Sequence, residues 1–231
     1  MNPDSFIWWA WVRDHRHDIL LATYEHLRLT LLAVVIGLVI SLGLAVLARR
    51  WRFARPIITG AAGVLYTIPS LALFATLVTI TGFTTLTAEI GLVGYTLLIL
   101  VRNLLEGLDG VPSEVREAAD AMGFGPVRRF VAVDLRLATP AIAAGVRVAT
   151  VTTVGLVTVT GLIGMGGYGS FIDAGLDRVF STEVVVGAVL SVVMAVVLDA
   201  LLVLATRLLT PWQRPTRVRR DRPIAIDEAF T

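Results

Sequence analysis

Two ionisable residues sit inside long apolar stretches, Arg147 and Asp199. An intramembrane charge needs a partner, and these two fall at matching depths. Arg147 is seven residues past the start of one stretch at Pro140, and Asp199 is seven residues before the end of another at Thr206. The expectation is a buried ion pair that clamps two helices. Glu89 interrupts a third stretch near its end, where its carboxylate is expected to reach water. His15, His17 and His26 precede the first apolar run, in a polar segment whose spacing does not specify a metal site. The chain has no cysteine, which excludes thiolate metal sites and disulfides. All twenty of its basic residues other than histidine are arginine. Without lysine there is no Schiff-base chemistry and no P-loop lysine for ATP. No serine or threonine has a base positioned beside it. The expected catalytic set and metal set are therefore both none.

The elements that carry these charges are membrane spans. Hydrophobic residues make up 56% of the 231 and charged ones 16%, against about 45–50% and about 25% in soluble domains. A helix crosses the hydrocarbon core with about 20 apolar residues. Spans are predicted at about 29–48, 57–81, 86–107, 140–163 and 184–206, with the turn Thr81-Gly82-Phe83-Thr84-Thr85 separating the second from the third. Pro69 breaks one backbone bond within the second and predicts a kink. The fold class is an all-α integral membrane protein with five spans. Residues 1–28 form an outer interfacial segment whose Phe6–Val12 stretch is rich in tryptophan, 29–209 the transmembrane domain, and 210–231 an arginine-rich tail.

Net charge is only +2, too little for a nucleic-acid binder. Distribution is more informative. With five alternating spans, fifteen arginines fall on one side, in the 49–56 loop, the 102–139 segment and the tail. The positive-inside rule then places the N-terminus outside and the C-terminus in the cytoplasm. The tail's Arg214, Arg217, Arg219, Arg220 and Arg222 read as an anchor on anionic lipid.

The loop at 109–139 is too long and polar for a simple turn. Ser113 is expected to cap a helix in which Val115, Ala118, Ala119 and Met122 recur at helical spacing. Gly123 closes it in the left-handed conformation, and Gly125-Pro126 opens a second short helix with Val127, Phe130 and Val131 on its apolar side. Pro140 is expected to end the region and start span four. The product is a helix–glycine–helix element with a shallow face. It serves either as a cover for its own helix ends or as a seat for another surface.

Glu117-Ala118-Ala119 followed by Gly123 resembles the EAA motif of permease subunits in binding-protein-dependent ABC importers. The flanks Arg102-Asn103, Gly107-Leu108, Gly110-Val111-Pro112 and Met122-Gly123 are similar to the osmoprotectant branch. So are Ile68-Pro69-Ser70-Leu71-Ala72-Leu73, Ala144-Gly145-Val146-Arg147 and 162–169. The motif's usual Ile-x-Leu-Pro continuation reads Val133-Asp134-Leu135-Arg136 here, and a proline often found before the Arg-Asn pair is replaced by Ile99. The resemblance implies a multi-pass subunit of the bacterial inner membrane that imports glycine betaine, choline, carnitine or proline betaine. It implies a cytoplasmic ATPase partner holding ATP and Mg, a second permease subunit, identical or related, and an extracytoplasmic binding protein. This chain itself would bind no cofactor. Glu117, Ala118, Ala119, Met122 and Gly123 would form the ATPase contact.

Candidates for the path or its gate are Pro69, Ser70, Thr153, Thr158, Gly164, Gly166 and Gly167. Span four holds many small and hydroxylated residues, which pack closely or line water. With eighteen aromatic residues, many of them at ends and interfaces, an aromatic cage for a quaternary ammonium is expected on the binding protein. Another small polar solute, such as an amino acid, is the alternative cargo. A secondary transporter would show repeated halves, and no internal repeat is evident.

Overall fold

The computed structural model describes residues 7–211. The tail arginines from Arg214 to Arg222, and Phe6, lie outside the described residues. The elements run α1 (Trp9–Asp14), α2 (Arg16–Arg50), α3 (Ala54–Thr67), α4 (Ser70–Thr81), α5 (Thr85–Asp109), α6 (Ser113–Ala121) and α7 (Pro126–Arg129). They continue through a π-helical turn (Phe130–Asp134) into α8 (Leu135–Gly161), α9 (Gly169–Asp177) and α10 (Ser181–Leu209). Among the described residues, four helical stretches are long and apolar enough to span a membrane, and the bent pair α3–α4 makes a fifth if it counts as one span.

Packing decides that count. One core cluster joins Ala45 and Ala48 of α2, Val101 to Leu108 of α5 and Ala138 of α8. A second joins Leu29 and Ala33 of α2, Phe74 of α4, Ala88 and Leu92 of α5 and Val157 of α8. Helices α2 and α5 therefore run parallel, and α8 runs antiparallel to both. Because α2 ends where α5 ends, the chain must traverse the bundle through α3 and α4 before α5 can begin. Helix α10 starts at the level of the α2 start, since Thr182 Oγ1 accepts a bond of 3.0 Å from the Trp8 N–H. The chain thus crosses the bundle five times.

Three expectations change. First, residues 16–28 are not a separate surface segment but the first turns of α2. Charges end an apolar run without ending a helix, and Ala22, His26, Leu29, Ala33, Gly37, Ser41, Ala45 and Ala48 form one continuous buried stripe. At 35 residues, α2 is roughly 52 Å long and outreaches a hydrocarbon core of about 30 Å. The tryptophan segment is also partly internal. Trp11 is buried, stacked on His15 at 4.3 Å and edge-on to Phe171 and Phe180.

Second, span two is broken rather than kinked: α3 and α4 meet at 96°. A residue before proline is pushed out of the helical region, and Ile68 is extended at φ −67°, ψ 128°. The Ile68 carbonyl is satisfied by the Tyr95 hydroxyl, which donates to it from α5. Third, Pro140 does not begin span four. It lies inside α8, which follows without interruption from α7 and the π turn, so Pro140 removes one backbone bond and no more.

The turn between α4 and α5 is built from hydroxyls. Gly82 adopts φ +74°, Thr84 Oγ1 accepts the Thr87 N–H, and Thr87 Oγ1 donates to the Gly82 carbonyl at 2.6 Å.

Candidate functional site

The hairpin between α5 and α8 has a well-defined geometry. Pro112, not Ser113, occupies the N-cap of α6, in extended conformation and with no side-chain cap. Ser113 is the first helical residue, because the preceding proline already sets the chain's entry. The helix closes with a Schellman motif: the Gly123 N–H bonds the Asp120 carbonyl at 2.9 Å and the Phe124 N–H bonds the Ala119 carbonyl at 3.1 Å. Gly123 has φ +79°, a conformation that L side chains rarely adopt. Pro126 then takes the first position of α7, where its missing N–H costs nothing.

The expected stripe splits in two. Ala119 is 1% exposed and faces this chain's own interior. Glu117, Ala118, Met122 and Gly123 are exposed. Ala119 is therefore not available to a partner; a large side chain there would disrupt the hairpin itself. On the second helix Phe130 and Leu135 pack into the lower core cluster, while Val127 and Val131 point outward. The hairpin thus leaves Val115, Ala118 and Met122 exposed along α6, and Val127 exposed on α7. Exposed apolar patches mark interaction sites.

Charges hold the hairpin together and to the bundle. Arg129 pairs with Asp120 across it, and the Arg128 guanidinium lies 4.2 Å from the Phe124 ring centre. Asp134, 3% exposed, accepts from Arg116 Nε at 3.1 Å and from Arg49 Nη1 at 3.5 Å. Arg116 Nη2 also donates to the Leu108 carbonyl.

Within the bundle, Arg147 and Asp199 face each other. Nε lies 2.8 Å from Oδ1 and Nη2 lies 2.9 Å from Oδ2, the forked geometry favoured by guanidinium and carboxylate. The two side chains are 38% and 34% exposed, so the pair is only partly buried. They border a cavity of about 330 Å³ with Ala144, Val148, Val151 and Thr152. Glu89 does not reach water as expected: it is 9% exposed and neither carboxylate oxygen has a partner, because α5 turns it into the packed side of the bundle.

The path candidates do not gather at one point. Exposed Pro69 and half-buried Ser70 flank the break between α3 and α4. Thr153 is fully buried and its hydroxyl donates to the Ala149 carbonyl at 2.7 Å, so its side chain packs inside the bundle. Thr158 is half-buried and donates to the Gly155 carbonyl at 2.6 Å. Gly164, Gly166 and Gly167 all have positive φ, in the loop joining α8 to α9.

That loop is held by Thr23, Glu25 and His26 of α2. Glu25 Oε2 accepts the Gly167 N–H at 3.0 Å, and Thr23 Oγ1 is 2.9 Å from the Tyr168 hydroxyl. His26 is not in an open polar segment; it is 0% exposed. Its Nδ1 accepts the Tyr168 N–H at 3.2 Å, which requires the ring proton on Nε2, 3.0 Å from the Val154 carbonyl. Both nitrogens are thus occupied by the neutral ring. The signal available in sequence was helical spacing: Ala22, His26 and Leu29 share a face with the apolar stripe below. His26→Leu should strand the Tyr168 N–H and lower stability by about 1–3 kcal/mol. Thermal unfolding of the detergent-solubilised protein would register this; an unchanged midpoint would show the bonds to be dispensable.

Residues 33–215 match a family described as binding-protein-dependent transport system inner membrane component. The chain belongs to that family. This permease is 34% identical to the choline transport system permease protein OpuBB of Bacillus subtilis (strain 168), over 84% of its own length and 89% of the relative's. It is also 34% identical to the osmoprotectant import permease protein OsmW of Salmonella typhimurium, over 82% and 90%. A solved structure of the MetNI methionine ABC transporter in inward-facing conformations superposes with a TM-score of 0.69. That match covers 81% of this permease and 94% of the solved chain at 24% identity, a likeness of fold. The permease is a transport component of the membrane, not an enzyme.

Proposed function

We propose that this permease forms the translocation path of an ATP-driven importer for a small osmoprotectant such as glycine betaine, choline, carnitine or proline betaine. The observation that carries the cargo class is its 34% identity, over more than four fifths of its length, to both a choline permease and an osmoprotectant permease. It works with a separate cytoplasmic ATPase that holds ATP and Mg, a second permease subunit and an extracytoplasmic binding protein. Its N-terminus is outside and its C-terminus cytoplasmic, as the fifteen clustered arginines favour.

The ATPase seats on the open face of the hairpin, at Glu117, Ala118, Met122 and Gly123. Rigidity supports this role, since the Schellman closure and the Arg129–Asp120 pair let α6 and α7 move as one body. The second permease covers the face that carries Arg147 and Asp199. Partly exposed charges at that depth are costly against lipid, so this surface meets protein or water. Gly164, Gly166 and Gly167 belong to an outer gate, and Pro69 and Ser70 to the bend of span two.

Ala118→Trp tests the docking face. The variant should remain folded, because Ala118 is exposed, and should fail to retain the ATPase through affinity purification. Retention of stoichiometric ATPase by this variant would move the docking site elsewhere.

A further inference from the structure

Asp134 stands where the second half of the hairpin joins span four, at the end of the π turn Phe130–Asp134. A π turn inserts one extra residue into a helix and so rotates everything after it. Here it brings a carboxylate into the junction of four elements. Each oxygen has its own cation. Oδ1 accepts from Arg116, in the middle of α6, and Oδ2 from Arg49, in the last turn of α2. The second arm of Arg116 reaches the carbonyl of Leu108, one of the last four in α5 and without a helical partner. Arg116 thus ties α6 to span three and to the start of span four, and Arg49 ties the same carboxylate to span one.

The other polar contacts of the hairpin do something different. Arg129–Asp120 and Arg128–Phe124 join its two halves to each other, and Arg55–Asp109 links the 49–56 loop to the end of α5 on an exposed surface. The Arg116–Asp134 pair fastens α6 to the start of span four, and the Arg49–Asp134 pair ties that same point to span one. Half-buried arginines on a buried carboxylate resist shear, because any displacement of α6 relative to the bundle would separate charges in a poorly hydrated place.

We propose that Asp134 is the positioning residue of transport coupling: it locks the hairpin to the inner ends of spans one and four, so that motion at the docking face reaches the bundle undiminished. This rests on reading the hairpin as the ATPase contact. Without the lock, α6 would still bind the ATPase and keep its bonds to Leu108 and Arg129, but would lose its charged tie to the start of span four. Asp134 occupies the unconstrained second position of the Val133-Asp134-Leu135-Arg136 stretch.

The test uses the complete transporter in proteoliposomes with its ATPase and binding protein, following ATP hydrolysis and uptake of radiolabelled glycine betaine and choline together. Asp134→Asn should retain the ATPase and hydrolyse ATP, yet import about tenfold less solute per ATP. Asp134→Glu should restore part of that ratio. Arg49→Gln leaves the Arg116 bond intact and frees only span one. It should give an intermediate ratio, and it carries the test if Asp134→Asn does not fold. A wild-type ratio in the folded variants would overturn the proposal. So would a parallel fall of hydrolysis and uptake at equal permease and ATPase content, because it leaves the solute carried per ATP unchanged. ATP-dependent uptake by the wild type is scored separately, so the proposal can fail while the importer reading stands.

Discussion

Asp199→Ala should remove most of the folded protein from the membrane, and the double variant Arg147→Met, Asp199→Leu should bring most of it back. The forked pair joins α8 to α10 with two bonds below 3 Å. Deleting the carboxylate leaves a guanidinium at a depth where water is scarce and lipid cannot solvate it. Deleting both charges removes the need for a partner and leaves apolar side chains of similar bulk on a partly exposed surface within the spans. The order of effects, with the single variant worse than the double, is what distinguishes a pair from two independent residues. The check is the yield and monodispersity of detergent-extracted protein across the three chains. A single variant as abundant as wild type would show that the two charges do not depend on each other. Transport by a folded double variant would assign the pair a clamping role; loss of transport alone would place it on the path.

Gly169→Val should be as severe, for a different reason. The end of α8 and the start of α9 touch backbone to backbone. A Cβ at Gly169 would lie 2.0 Å from the Thr158 carbonyl oxygen, and one at Gly161 would lie 2.3 Å from the Gly169 Cα. Neither obstacle is a side chain that can swing aside. Overpacking costs about 1–3 kcal/mol where side chains can yield, and this contact has none, so valine should exceed that range and prevent assembly of α9 on α8. Gly155→Ala is the matching control. Nothing lies within 4 Å of a Cβ at Gly155, and alanine favours helix there by about 1 kcal/mol. Thermal unfolding should show Gly155→Ala at or above wild type and no folded Gly169→Val. A stable Gly169→Val would mean that α9 can sit elsewhere.

The parts of this fold legible in sequence were those set by one-dimensional patterns. The turn at 81–85 and the apolar run at 184–206 fall within a few residues of the bounds of α5 and α10, and Gly123 and Pro126 mark the end of α6 and the start of α7. The failures share a cause. An apolar run reports depth in the membrane and not helix length, so α2 was cut at Leu29 although its buried stripe continues up to Ala22. A proline predicts a lost bond, whereas the angle it produces depends on neighbours such as Tyr95, whose hydroxyl donates to the Ile68 carbonyl at the break. The π turn adds one residue to a period of 3.6, which a spacing count cannot register, and that extra residue carries Asp134 into the junction. Ala118 and Ala119 are identical in type, and only packing tells which faces out. His26 has polar neighbours in sequence, yet those neighbours, Thr23 and Glu25, are themselves engaged with the loop at 167–168.

The central claim is that this chain carries an osmoprotectant inward at the expense of ATP hydrolysed by a separate subunit. Radiolabelled glycine betaine and choline uptake into proteoliposomes tests it most directly, with permease, ATPase and binding protein present together and with each omitted in turn. Uptake should require all three proteins and ATP, and should survive collapse of proton and sodium gradients by ionophores. Uptake by the permease without the ATPase, abolished by ionophores, would contradict the account.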